Sequence, residues 1–168
     1  RLFEALRTLP RDLKVCLAGV PIGNRTRESL LREARAFGVE NRFRIFEGLN
    51  DEEVKRLLSR AKIFCALSHK EGSYIAVAES LMAGTPVGMY NDALIGTKSY
   101  INEETGILFD PKQPLARQIM KFLETSEQVD PTTWARNNIS ARVNSERLNQ
   151  IVMERALSKN DPWTKHIE

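Results

Sequence analysis

The chain has 168 residues, 42% hydrophobic and 28% charged, with a net charge of +3. That length and balance fit one globular domain with a sizeable core. No apolar run approaches the ~20 residues that span a bilayer, and the opening RLFEALRTL reads as an amphipathic helix, not a secretion signal. Cys16 and Cys65 lie in apolar strand-like runs, where reduced core thiols are expected. His69 and His166 are far apart in sequence and no Cys/His cluster has metal-site spacing, so no metal is expected.

The charge is uneven. Residues 1–44 hold nine Arg and one Lys against five acids. Such an excess serves a phosphate ligand, an acidic membrane surface or nucleic acid, or else coats solvated helix faces. No RNA-binding aromatic motif or zinc-finger pattern supports nucleic acid.

In chain order, LKVCLAG (13–19) predicts a short buried strand that ends in the Gly19 turn. Residues 26–37 place Leu30, Leu31, Ala34 and Phe37 at helical spacing, and Gly38 ends that helix. RFRIFEG (42–48) is a strand; Asn50 then caps a helix with Glu53 at its third position and Val54, Leu57, Leu58 and Ala61 as its stripe. KIFCALS (62–68) is a strand, HKEGSY a loop, and the apolar stretch up to Gly84 a helix buried on most sides. PVGMY (86–90) and TGILF (105–109) are strands. A helix follows near 114–124, then helical segments over 131–157 with Asp130 as cap, Pro131 at the first position and a break at Asn144–Ser145. Strands alternating with helices imply a Rossmann-like α/β fold, a parallel sheet covered on both faces. Because the chain starts inside a helix, a strand before it is expected, and the chain reads as a fragment of a longer protein.

In such a sheet, ligands bind beyond the carboxyl ends of the strands. That rule places Glu71, Gly72, Ser73 and Tyr74 at the binding edge, beside the amino end of a helix whose free N–H groups and dipole suit a phosphate. Further along the same helix stands Glu79, among apolar neighbours. A buried, unpaired carboxylate is costly, so it needs a core Arg or Lys, or a ligand. A ribose diol fits, since one carboxylate accepts from both hydroxyls. Glu71 can accept from a second sugar, and phosphates fit between the two acids. That is the footprint of a nucleotide sugar, although two Glu at this spacing also recur by chance.

The stretch EGSYIAVAESLMAGTPV resembles the donor-site signature of retaining glycosyltransferases of family 4: Glu-Gly, a second Glu eight positions after the first, then Gly-Thr-Pro-Val. LKVCLAG, VENRFRIFEGLNDEEVKRLLSRAKIFCALS and NEETGILFDP resemble other segments of that family in the right order, over residues 1–157. The resemblance implies the carboxyl-terminal, donor-binding half of a GT-B fold. It implies that Glu71 contacts donor-sugar hydroxyls, Glu79 the ribose, and the amides of Gly72, Ser73, Tyr74 and Ile75 the sugar and diphosphate. Gly48, Leu49 and Asn50 would lie near the base, and Gly19 after the first strand.

The substrate would be a UDP-, GDP- or ADP-sugar, with no cofactor. The acceptor would be held by an amino-terminal domain, and the enzyme would work in the cytoplasm, with contact at the inner membrane surface compatible with the basic first third. The family's Arg and Lys on the diphosphate have no match here; Arg25 or Arg27 would supply charge unless each simply opens a surface helix. GMYNDALIGTKSYIN departs from the family's glycine pair and acid, and Lys98 within it reads as solvated. His69 reads as a loop residue, Trp134 as packing and Trp163 as tail. The rival readings are a nucleotide-sugar epimerase and a non-catalytic α/β binding module.

Overall fold

The computed structural model describes residues 1–20 and 22–163; His166 lies outside them. Helix α1 (Leu2–Thr8) leads to β1 (Val15–Ala18), then α2 (Arg27–Ala36), β2 (Phe43–Phe46), α3 (Asp51–Ser59), β3 (Phe64–Ala66) and β4 (Lys70–Glu71). They are followed by α4 (Ile75–Met82), β5 (Val87–Tyr90), β6 (Leu94–Ile95), β7 (Gly106–Phe109), α5 (Leu115–Leu123), α6 (Pro131–Asn138) and α7 (Ala141–Ser158).

Among the described residues every strand pairing is parallel, apart from one isolated antiparallel bridge between Ile22 and Arg25. β3, β5 and β7 form a three-stranded sheet in the order β3-β5-β7, with Phe64 opposite Val87 and Val87 opposite Gly106. β1 and β2 pair separately, Val15 opposite Phe43. Lys70 and Glu71 pair with Leu94 and Ile95 in a two-residue ladder. β5 is buried throughout, as a central parallel strand must be. Its Met89 shares the core with Leu6, Ala66, Val77, Leu81 and Phe109.

The predicted caps operate as hydrogen bonds: Asn50 and Asp130 accept at the start of their helices, and Asn50 and Glu53 close a full capping box. Thr26 and Ser140 cap α2 and α7 in the same way, which the sequence reading did not name. Gly84, at φ +84, turns the chain out of α4 where a side chain would be strained. Arg42 ties the segments before β1 together by donating to the carbonyls of Leu6, Pro10 and Leu13.

Four expectations need correction. The strand 13–19 is not buried: Cys16 and Ala18 are exposed and Leu17 is 38% exposed, because among the described residues β1 gains one neighbour, β2, and little cover. Cys16 is therefore not a core thiol. The last break falls at Ile139–Ser140, not Asn144–Ser145, because Ser140 accepts from the Val143 amide and starts α7 there. Residues 70–71 are a short strand and not loop, since β6 supplies a partner that sequence alone did not indicate. Finally, α4 buries only one side: Val77, Ser80 and Leu81 face the core, while Ile75, Glu79 and Met82, at positions i, i+4 and i+7, are exposed.

Candidate functional site

The site begins where β3 ends. From Ala66 the chain runs through Ser68 and His69 into β4, turns at Gly72–Tyr74, and enters α4. Pairing with β6 pins this turn. The Leu94 amide donates to the His69 carbonyl at 2.8 Å, and the Gly96 amide to the Gly72 carbonyl at 2.9 Å. Gly96 must lack a side chain, because a Cβ there would lie 2.7 Å from the Gly72 carbonyl oxygen. Glu71, Gly72 and Ser73 are exposed on this strap, and Tyr74 closes it by setting its ring edge-on to Phe64, 6.0 Å between centroids. Burial, then the Glu71 charge, holds the Tyr74 phenol above its ordinary pKa, partly offset by a hydrogen bond with Ser68. Tyr74 therefore stays neutral near the Glu71 charge.

The amino end of α4 is left open. Tyr74 occupies the cap position without a side-chain hydrogen bond, and the first turn holds no acid. Its leading N–H groups and the positive end of the helix dipole are therefore available to an anion.

Glu79 is not the buried charge that its apolar neighbours predict. It opens onto a groove of about 320 Å³ between α3 and α4, together with Asp51, Val54, Lys55, Leu58, Met82 and Ala83. Among the described residues no Arg or Lys forms an ion pair with it. The groove walls are fastened at their far end: Thr85 donates to the Leu58 carbonyl, and Ser80 donates to the Thr85 carbonyl at 3.1 Å. Both side chains are buried, so the Gly-Thr-Pro that follows α4 acts as a clamp between two helices.

The remaining predicted residues fall into two groups. Gly48, Leu49 and Asn50 follow β2 and lead into α3, one wall of the groove. The Asn50 side chain is occupied by the Glu53 amide at 3.0 Å. Gly19, Arg25 and Arg27 belong to the β1–β2 side. The Gly19 amide donates to Phe46, Arg25 pairs with Glu33 at 2.9 Å, and Arg27 donates to the Ile45 carbonyl at 3.1 Å. Lys98 donates to the Asn91 carbonyl. His69 accepts from Arg1 at 3.1 Å and stacks on Tyr90 with rings 5.6 Å apart. Trp134 packs on Tyr100 as expected. Burial pushes the Cys65 thiol up to about 12, so it remains protonated in β3.

Sequence reasoning missed Asp51, Lys55 and Thr85. Thr85 lay in the quoted motif, but its partner, Leu58, is known only once α3 and α4 are packed. The described residues contain no group of three or more His, Cys, Asp or Glu placed to hold a metal ion, and no helix long and apolar enough to cross a membrane.

Comparison with known proteins supplies the context. The family model for glycosyl transferases group 1 matches residues 1–138. A GDP-mannose:cellobiosyl-diphosphopolyprenol alpha-mannosyltransferase of Komagataeibacter xylinus is 34% identical over 84 residues, covering 50% of this chain and 21% of that protein. An Anabaena protein, HepE, solved with UDP, superposes over 94% of this chain and 44% of its own, with TM-score 0.72 and 21% identity. Sucrose-phosphate synthase of Thermosynechococcus elongatus covers 95% of this chain and 42% of its own, with TM-score 0.73 and 22% identity. The chain thus spans about a fifth of that curated relative and less than half of these two solved chains. Its α/β architecture is that of GT-B glycosyltransferases, and the chain belongs to the group 1 glycosyl transferases.

Proposed function

We propose that this chain binds the nucleoside-diphosphate sugar donor of a retaining glycosyltransferase. The carrying observation is that Glu79, a carboxylate with no ion pair among the described residues, and an uncapped helix start lie on the same helix, one beside a groove and the other at the strand ends. The two features have complementary chemistry: acceptors for a ribose diol, donors for a diphosphate. Glu71, on the pinned strap ahead of the helix, accepts from donor-sugar hydroxyls, and the amides of Gly72 to Ile75 meet sugar and phosphate. The curated relative is named for GDP-mannose and HepE was solved with UDP and UDP-glucose, so donors of this class suit the family while the base is left open.

In the reaction, the bond between the anomeric carbon and the diphosphate oxygen breaks, and negative charge grows on the diphosphate. The α4 amides and dipole stabilise that charge. The acceptor hydroxyl attacks the anomeric carbon from the face the diphosphate is leaving and passes its proton to a departing phosphate oxygen, so configuration is retained. The acceptor is held by polypeptide outside this chain, and closure over the donor completes the site. An epimerase would want His69 free at the sugar ring; its imidazole is instead engaged by Arg1 and Tyr90.

The test is titration of the chain with GDP, UDP and ADP by calorimetry. At least one should bind, and Glu79→Ala should weaken it about 100-fold through the loss of two charge-assisted hydrogen bonds. Because Glu79 is exposed, stability should change by less than about 0.5 kcal/mol. Unchanged binding by the variant, or sugar transfer by the chain alone, would sink the proposal.

A further inference from the structure

The α3 wall of the groove carries more than apolar contact. Three acids open α3, and two are occupied within the helix: Glu53 closes the capping box, and Glu52 lies 3.8 Å from Lys55. The third, Asp51, lines the groove, and among the described residues its carboxylate has neither a hydrogen bond nor an ion pair. Asp51 and Lys55 are four positions apart, so they share one face of α3. Glu79 lines the same groove from α4, together with Val54, Leu58 and Met82. The groove therefore offers an apolar bed for a flat ring, a ribose-binding acid on one wall, and an acceptor beside a cation on the other.

We infer that Asp51 selects the donor base and that the base is guanine. This rests on the nucleotide-binding reading above. Guanine presents two adjacent donors, N1–H and the 2-amino group, which a single carboxylate accepts together. Beside them is an acceptor, O6, suited to the Lys55 ammonium. Uracil presents one N–H between two carbonyl oxygens, so Asp51 would face an acceptor as well as a donor. Adenine offers an amino group next to an unprotonated ring nitrogen and meets the same conflict. A mismatched pair leaves Asp51 desolvated against a lone pair, and that penalty, not lost attraction alone, discriminates.

Calorimetry with GDP, UDP and ADP on the protein and on Asp51→Asn, with thermal melting as a folding control, decides the matter. The expected result is GDP bound about tenfold more tightly than UDP or ADP, the discrimination that one bidentate contact supplies. In Asp51→Asn that preference should vanish, with GDP binding weaker and UDP and ADP binding tighter, because an amide pairs one acceptor with one donor and so meets uracil or adenine without conflict. Lys55→Ala should weaken GDP and UDP by the same factor, since both carry a carbonyl for it. If the three nucleotides bind alike, or the preference survives Asp51→Asn, the base assignment is overturned while nucleotide binding stands. If none binds, both fall.

Discussion

At the start of α3 the Asn50 side chain accepts from the Glu53 amide and Glu53 accepts from the Asn50 amide, and three acids sit in the first turn. At the start of α4 no side chain caps the helix and no acid is present. α3 is content with its own residues, whereas α4 presents unmet donors beside the exposed Gly72 and Ser73. The contrast extends along the groove: α3 contributes a negative rim, while α4 contributes one acid on an otherwise apolar face. The start of α4 thus lacks the local stabilisation that the capping box supplies to α3.

Capping α4 should abolish the contrast. Ser73→Asp places a carboxylate at the helix entry, where it stabilises the dipole but repels a diphosphate. Nucleoside-diphosphate affinity should drop about tenfold with a small gain in melting temperature; equal affinity would mean that phosphate binds elsewhere. The next effect tests whether the two helices act as one site. Thr85→Val keeps the shape but removes the donor to the Leu58 carbonyl, costing about 1.5 kcal/mol of stability by denaturant unfolding. Nucleotide affinity should fall along with it, because the groove walls are no longer fastened; unchanged affinity would show that the clamp serves stability alone. The smallest effect comes from the capped helix. Asn50→Ala should cost about 1 kcal/mol, the usual worth of an N-cap, and leave phosphate binding intact, since that cap is satisfied within α3.

The positions of the strands and helices were legible because their signals are local. Gly84 ends α4, Asp130 opens α6, and the Asn50–Glu53 box opens α3 within the very residues predicted. Errors arose where a decision depends on partners distant in sequence. Whether residues 70–71 are loop or strand depends on Leu94 and Ile95. Whether Cys16 is buried depends on what lies beside β1. The α6–α7 break lies at Ile139–Ser140 and not at Asn144–Ser145, because which polar side chain reaches a helix-start amide is set by the packed backbone.

The sequence by itself determined the alternation of strand and helix, the family signature and the pair of acids at Glu71 and Glu79, because periodicity, capping and spacing are properties of neighbours along the chain. Only the tertiary structure decided that Glu79 opens onto a groove instead of lying in the core, and that Asp51 and Lys55 face it from α3. It also revealed that Thr85 fastens the two walls. The physical reason is that an apolar helix can bury any of its sides, and which side it buries is set by the elements packed against it.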